Sequence, residues 1–246
     1  MAKDFYEILG VSRTASQKEV RQAFQYAFDY KAMKDFFQGQ AADQTGPLPA
    51  DYPGGAKDLA PFKQDVNKAK ALLAKAGVSP SSLQPTFMTP TGYADLIAGA
   101  TITQASLAQI GVNVKIQQIP FGQIVSAFGK EDTSPSMTDL YNSPFTLDPT
   151  QFLINAVPGN FANSLGHYSN PTVTKMIKEI AATQNASKRT KLLHDVQHLI
   201  RDDAPSIWGG RPLTLVAHRD YVTGYQMQFT DYRFPVRFAQ LRIKAH

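Results

Sequence analysis

Residues 85–117, PTFMTPTGYADLIAGATITQASLAQIGVNVKIQ, contain two strand patterns on either side of one helix pattern. Pro85 to Thr89 is a short strand candidate, and Val112 to Gln117 alternates apolar and polar residues as a strand with one wet face does. Between them, apolar residues at helical spacing form one stripe, which Gly111 ends. The order of strand, helix and strand predicts a right-handed βαβ unit with parallel strands. The stripe consists of Leu96, Ala100, Thr103, Leu107 and Ile110.

Capping residues and apolar spacing predict helices on both sides of this unit. Ser16 and Glu19 have the spacing of a capping box, so a helix is expected to begin there. Asp65 is the expected N-cap of the next helix, and Gly77 is placed to end it. The other predicted helices follow Pro120, begin at Asp148-Pro149, begin at Asn170-Pro171, and contain Leu192, Leu193, Val196, Leu199 and Ile200.

The remaining strand candidates are Met137 to Tyr141 and three segments near the end of the chain. Residues 45–55 are rich in Gly and Pro, which predicts an ordered connection without regular structure. The alternation of helices and strands favours an α/β layer architecture. The three late segments are Pro212 to His218, Tyr221 to Gln228 and Val236 to Ile243.

Composition narrows the classes of function. Of the 246 residues, 43% are hydrophobic and 18% are charged, which suffices for a sizeable core. The net charge is +5, but basic and acidic residues are interspersed, which indicates a solvated surface and no nucleic-acid partner. The absence of cysteine excludes disulfides, thiol nucleophiles and cysteine-held metals. No apolar run approaches the ~18 residues of a spanning helix, so a membrane-spanning protein is not expected.

From about residue 20 to residue 246, several short motifs occur in an order that is typical of one protein family. In this order they resemble the extracytoplasmic solute-binding proteins of ABC transporters, of the peptide- and nickel-binding type. Each motif alone is weak, and their order makes the resemblance specific. The motifs include Val20-Arg21-Gln22-Ala23-Phe24, Thr45-Gly46-Pro47-Leu48-Pro49, Leu107-Ala108-Gln109-Ile110-Gly111, Asp148-Pro149-Thr150, Tyr168-Ser169-Asn170-Pro171 and Asp203-Ala204-Pro205.

The resemblance implies a periplasmic-binding-protein type II-like second lobe, α/β with a mixed sheet and flanking helices, incomplete relative to the two-lobed family. It implies non-catalytic capture of a small-molecule or peptide-like solute for an ABC permease, without a cofactor. A truncated chain with one lobe is expected to bind solute weakly, because closure between lobes is lost. The parent family is periplasmic, but residues 1–7 carry no apolar signal core, so the chain as written is expected in the cytoplasm.

The first residues resemble a different family. Residues 4–24 are similar to the start of a J-domain (DnaJ-type) co-chaperone, which suggests a chimeric N-terminus with domains at 1–24 and 20–246. The functional His-Pro-Asp tripeptide of that family is expected near residue 32, where this chain has Ala32-Met33-Lys34. The alternative function of a co-chaperone or adaptor is therefore disfavoured.

The resemblance also implies which residues face a ligand. Peptide-binding relatives are expected to have an aspartate three residues before the Asp-Pro pair, and this chain has Phe145 there, which argues against ion pairing with a peptide ammonium. An N-cap role is favoured for Asp148, and partial burial for Trp208. The candidate ligand-binding residues are Tyr141, Asn142, Phe145, Asp148, Tyr168 and Trp208.

Two histidines have a spacing that can share a metal. His194 and His198 lie one turn apart on a predicted helix, outside its apolar stripe. No third ligand is evident from the sequence, so a solvated pair without metal is expected. No catalytic carboxylate pair, nucleophile elbow or phosphate-binding loop is recognisable, so an enzyme is not expected.

Overall fold

The computed structural model describes residues 16–128, 134–142, 148–153, 168–213, 217–225 and 238–245. These residues form helices α1 Ser16–Ala27, α2 Tyr30–Phe36, α3 Val66–Lys75, α4 Ala94–Ala108, α5 Phe121–Phe128, α6 Thr150–Leu153, α7 Pro171–Ala182 and α8 Ala186–Asp203. The strands are β1 Ala41–Ala42, β2 Thr86–Pro90, β3 Lys115–Ile119, β4 Met137–Thr138, β5 Arg211–Pro212, β6 Val222–Thr223 and β7 Arg242–Ile243. Short 3₁₀ turns occupy Pro80–Ser82 and Phe238–Gln240.

The centre of the fold is a three-stranded parallel sheet in the order β3-β2-β4. Thr86 lies opposite Lys115 in one pair, and Phe87 lies opposite Met137 in the other. Helix α4 connects β2 to β3, so the predicted βαβ unit with parallel strands is confirmed.

The second strand of this unit begins three residues later than expected. Val112 and Val114 are buried, but the ladder starts where the Lys115 N–H donates to the Pro85 carbonyl, at 2.9 Å. The residues just before Pro85 form the 3₁₀ turn Pro80–Ser82 and do not extend β2 to pair with residues 112–114. The alternating pattern therefore predicted the burial of Val112 and Val114 correctly, but the strand pairing that it predicted for residues 112–114 is wrong.

The predicted helices are confirmed, and so are the caps predicted at Asp65 and Asn170. The Asp65 carboxylate accepts from the Lys68 N–H at 2.8 Å at the start of α3. The Asn170 side chain accepts from the Thr172 N–H at 2.9 Å at the start of α7. Each cap satisfies a first-turn donor that the helix itself leaves free.

Strand β4 is shorter than predicted, and the three late predicted segments are described only in part. The candidate at Met137 to Tyr141 pairs over only two residues, and the three late segments contribute only β5, β6 and β7 among the described residues. The pairs β1·β5 and β6·β7 are antiparallel. The α/β fold class with parallel and antiparallel strand pairs is thus confirmed.

Two hydrophobic clusters stabilise the fold. The first joins α1, α3, α4 and the sheet, and includes Val20, Phe24, Leu73, Phe87, Leu107 and Val114. The second joins α6, α7 and α8, and includes Phe152, Leu153, Val173, Ile180, Leu193, Val196 and Ile200. Leu48 of the Gly- and Pro-rich connection is buried in the second cluster, so the predicted ordered connection is confirmed.

Helix α1 links the two clusters. Its apolar face belongs to the first cluster, while Arg21 Nε donates to the Asp203 carbonyl at 3.0 Å, at the end of α8. Gln25 donates to the Ser206 carbonyl at 2.5 Å. These contacts make α1 an integral part of the α/β unit. Among the described residues, no helix combines the length and apolar character that crossing a bilayer requires.

Candidate functional site

Three exposed aromatic residues follow the three parallel strands. Tyr93 comes after β2, Phe121 after β3 and Tyr141 after β4, and their exposed fractions are 42%, 45% and 52%. Carboxyl ends of parallel strands meet at one edge, and open α/β sheets bind ligands outside that edge. We call this group, together with Asp95 and Asn142, the aromatic edge.

Tyr93 and Tyr141 form the centre of the aromatic edge. Their ring centroids are 6.4 Å apart and the rings are tilted by 56°. The Tyr141 hydroxyl donates to the carboxylate of Asp95, which lies in the first turn of α4. Desolvation, and then this hydrogen bond, raise the pKa of Tyr141 above its ordinary value, so the phenol stays protonated at neutral pH. Ring faces and a carboxylate are thus presented side by side.

Asp139 is a half-buried acid directly after β4. Its carboxylate lies against α4, 3.4 Å from where a Cβ on Gly99 would stand. Among the described residues, neither of its oxygens nor the adjacent Thr89 hydroxyl has a hydrogen-bond partner. Burial raises the pKa of Asp139 to about 7, and the charge on Asp95 adds to the rise. The nearby Thr89 hydroxyl acts to lower the pKa of Asp139, although the two groups are not placed for a hydrogen bond.

Asn142 connects the aromatic edge to the second cluster. Its side-chain amide donates to the Phe152 carbonyl at 3.3 Å. The remainder of its surface is exposed. Asn142 is therefore tied to α6 by one hydrogen bond and otherwise open to solvent.

The sequence identifies the family of this fold. It matches "Bacterial extracellular solute-binding proteins, family 5 Middle" over residues 11–164, which is more than half of the chain. The chain belongs to this family.

Two curated relatives of the family illustrate the similarity. "Probable D,D-dipeptide-binding periplasmic protein DdpA" of Escherichia coli (strain K12) is 26% identical over 201 residues, which cover 78% of this chain and 37% of the relative. "Glutathione-binding protein GsiB" of Pectobacterium atrosepticum is 28% identical over 231 residues, which cover 87% and 44%. The chain thus spans about two fifths of the length of these curated relatives.

Solved structures share the fold. The periplasmic binding protein DppA of Helicobacter pylori, in complex with peptide STSA, superposes with a TM-score of 0.78 at 24% identity, over 95% of this chain and 45% of that one. NikA of Staphylococcus aureus, in complex with Ni(L-His)2, superposes with a TM-score of 0.73 at 21% identity, over 89% of this chain and 48% of NikA. The fold of a type II periplasmic binding protein is therefore confirmed.

In this solute-binding fold, the predicted ligand residues do not all lie together. Tyr141 and Asn142 belong to the aromatic edge, and Phe145 lies outside the described residues. Asp148 accepts from the Thr150 N–H at 2.8 Å and from Arg189 at 3.0 Å through both oxygens. Desolvation works to raise the pKa of Asp148, but hydrogen bonds from Thr150 and Arg189 outweigh it and lower the pKa.

Tyr168 and Trp208 pack against the second cluster. The Tyr168 hydroxyl donates to Asp203 at 2.5 Å, and desolvation together with this bond raises the pKa of Tyr168. One face of Trp208 stacks on Phe62, with ring centroids 5.8 Å apart. These two aromatic residues and Asp148 have partners within the chain, which fits the structural roles that the sequence favoured for Asp148 and Trp208.

Sequence reasoning missed Tyr93, Asp95, Phe121 and Asp139. For Tyr93, Asp95 and Phe121 the available signal was position, because each follows the carboxyl end of a predicted parallel strand or begins the next helix. Asp139 had no such signal, since the strand predicted at Met137 to Tyr141 included it. It also missed Asp58, which lies beside His194 and His198 although 136 residues separate it from His194. No local pattern in the sequence signals a contact at that separation.

Proposed function

We propose that residues 20–246 form one solute-facing lobe of a binding protein that captures a small-molecule or peptide-like solute for import by an ABC permease. The observation that carries the proposal is the aromatic edge, at the carboxyl ends of the parallel strands of a solute-binding fold. Large exposed rings that cluster at such an edge mark a binding surface more often than scattered single ones do.

The chemistry of the aromatic edge fits a peptide-like solute. The Tyr93 and Tyr141 rings offer flat apolar faces, and the Asp95 carboxylate beside them can accept hydrogen bonds from an ammonium group. Phe145 stands where the resemblance leads us to expect a charged partner for that ammonium. We therefore assign the ammonium-facing role to Asp95. The names of relatives that bind dipeptides and glutathione support this solute class.

Capture of this kind requires no bond to form or break, so we propose a non-catalytic role. The relatives' names include periplasmic proteins, and we propose an extracytoplasmic place of action for the assembled binding protein. The J-domain resemblance of residues 4–24 stays a prediction, and the family match begins at residue 11. Because Val20 and Phe24 are buried in the first cluster, they are not free to build a separate co-chaperone helix pair.

The proposal is tested by measuring solute binding to the 246-residue chain. A thermal-shift screen with peptide STSA, glutathione and Ni(L-His)2 is followed by calorimetry on any compound that raises the melting temperature. Binding is expected to be weak, because this chain supplies one wall of the site, so high protein concentrations are needed.

Matched variants locate the binding. Y141A removes one ring of the aromatic edge and is expected to weaken binding about tenfold, since one aromatic contact contributes about 1–1.5 kcal/mol. F36A removes an equally exposed ring on α2 and is expected to leave binding unchanged. A Y93A/Y141A double variant that binds as tightly as wild type contradicts the proposal.

A further inference from the structure

Three metal-ligating groups meet on the surface of α8, apart from the elements that build the aromatic edge. His194 and His198 lie one turn apart, with ring centroids separated by 4.4 Å. His194 Nε2 is 3.1 Å from each Asp58 carboxylate oxygen, and His198 Nε2 is 3.0 Å from one of them. All three ligand atoms lie within 4.8 Å of one another.

The backbone near Asp58 is held in place by a buried glutamine of α8. Gln197 is fully buried between the two histidines in sequence. Its side-chain oxygen accepts from the Ala56 N–H at 3.0 Å, and its amide donates to the Gly54 carbonyl at 2.8 Å. Ala56 and Leu59, on either side of Asp58, are buried. The carboxylate therefore stands beside the histidines without needing a loop rearrangement, which is the preorganisation that a metal site requires.

The hydrogen bonding of the imidazoles leaves room for a cation. His194 Nε2 faces both Asp58 oxygens and Nδ1 lies 3.4 Å from the Asp195 carboxylate, so a metal ion at Nε2 would leave the ring proton on Nδ1, where Asp195 can accept it. His198 Nε2 is buried and makes no hydrogen bond among the described residues, although Asp58 is close. A nitrogen lone pair that faces a carboxylate is stabilised by a positive charge placed between them. A carboxylate behind a histidine ligand is also a common arrangement around bound zinc.

The nitrogen–oxygen distances are close to those of a first coordination shell. Zinc bonds to nitrogen and oxygen of about 2.0–2.1 Å place tetrahedral ligand atoms roughly 3.3 Å apart. The nitrogen–oxygen separations of 3.0–3.1 Å need to open by only a few tenths of an ångström to reach that value. The side chains are 40–55% exposed, so water can occupy the fourth position. Imidazole nitrogens favour transition metals over Ca²⁺ and Mg²⁺.

We propose that Asp58, His194 and His198 form a binding site for one divalent transition-metal ion, for which Zn²⁺ is the probe. Bound metal would join the loop before α3 to α8. This site does not depend on the proposed solute-binding function, because none of its ligands belongs to the aromatic edge.

Calorimetry of Zn²⁺ binding tests the site, with untagged, chelator-treated protein. One ion per chain is expected at this site, and D58N, H194Q and H198Q are each expected to weaken binding at least tenfold, because loss of even an outer-shell partner costs about 10–100-fold in affinity. The matched control is H218Q, which changes an exposed histidine outside the cluster and is expected to bind Zn²⁺ as wild type does.

A second measurement needs no variant. In NMR spectra of the wild-type chain, Zn²⁺ is expected to shift the ring signals of His194 and His198 and to leave those of His218 in place. Absence of Zn²⁺ binding, or binding that survives in H194Q and H198Q, overturns the proposal. Shifts confined to other histidines overturn it as well, even if the variants do not fold.

Discussion

Replacing Asp139 by Asn is expected to stabilise the protein at alkaline pH and to have much less effect in acid. The pKa of this acid rises from 3.8 to about 7 on folding, with burial as the main cause. An acid whose pKa rises binds its proton more tightly in the folded state. Its contribution to the free energy of unfolding is therefore greatest below the unfolded pKa and is lost as the pH rises through about 7.

The magnitude follows from the same shift. A change from 3.8 to about 7 corresponds to at most about 4 kcal/mol, since one pKa unit is about 1.4 kcal/mol. Both carboxyl oxygens are buried, but the residue as a whole is partly exposed and nearby solvent screens the charge, so roughly 2–4 kcal/mol is the expected range. Asn resembles the protonated acid in shape and carries no charge. At pH 8 we expect D139N to melt roughly 5–15 °C higher than wild type, at about 2–4 °C per kcal/mol for a chain of this size.

Urea unfolding of wild type and D139N between pH 4.5 and pH 8.5 measures this difference. The gap in free energy of unfolding is expected to widen by up to about 1.4 kcal/mol per pH unit up to pH 7 and then to stay constant. D220N removes an exposed carboxylate and serves as the control, with a small effect at every pH. If the free energies of unfolding of wild type and D139N change in parallel with pH, the raised pKa of Asp139 is refuted. A constant difference between the two curves does not matter, because it also contains the pH-independent effect of the amide.

Two other variants test how the connection before α3 is held. G55A is expected to cost more than about 2 kcal/mol of stability in urea unfolding, because its new Cβ would stand 2.1 Å from the Pro49 carbonyl oxygen. G122A has open space around its Cβ and is expected to stabilise α5 by about 0.5–1 kcal/mol, and equal losses for the two would contradict the packing. Q197A leaves buried backbone groups unpaired and is expected to cost about 2–4 kcal/mol. Q22A removes an exposed hydrogen bond and is expected to cost less than about 1 kcal/mol in the same assay, so similar values would refute the role of Gln197.

The sequence predicted the helices and the βαβ unit because their signals are local. A cap such as Asp65 or Asn170 acts on donors within its own first turn, so four residues of sequence contain the whole interaction. Strand length was less predictable. Val112 and Val114 are buried as the alternation indicated. A strand also requires a partner in register, and for Lys115 that partner is Thr86, 29 residues earlier in the chain.

The candidate site was predicted only in part for the same reason. Tyr141 and Asn142 were predicted as ligand residues because their segment of the sequence resembles a ligand-facing loop of the family. Trp208 was an equally reasonable candidate from the sequence, but Phe62 occupies one of its faces, and the two residues are far apart in the chain. The contact of Asp58 with His194 is likewise set by the packing of a connection on α8, which no short pattern encodes.

The central claim is that solute binds at the aromatic edge of the parallel sheet. NMR mapping with peptide STSA as the probe tests it most directly, because chemical shifts detect weak binding residue by residue. We expect perturbed amide signals at residues 89–95, at Phe121 and at residues 139–142, with no comparable change around Trp208. Perturbations confined to Tyr168, Trp208 and the second cluster, or none at saturating peptide, would contradict the account.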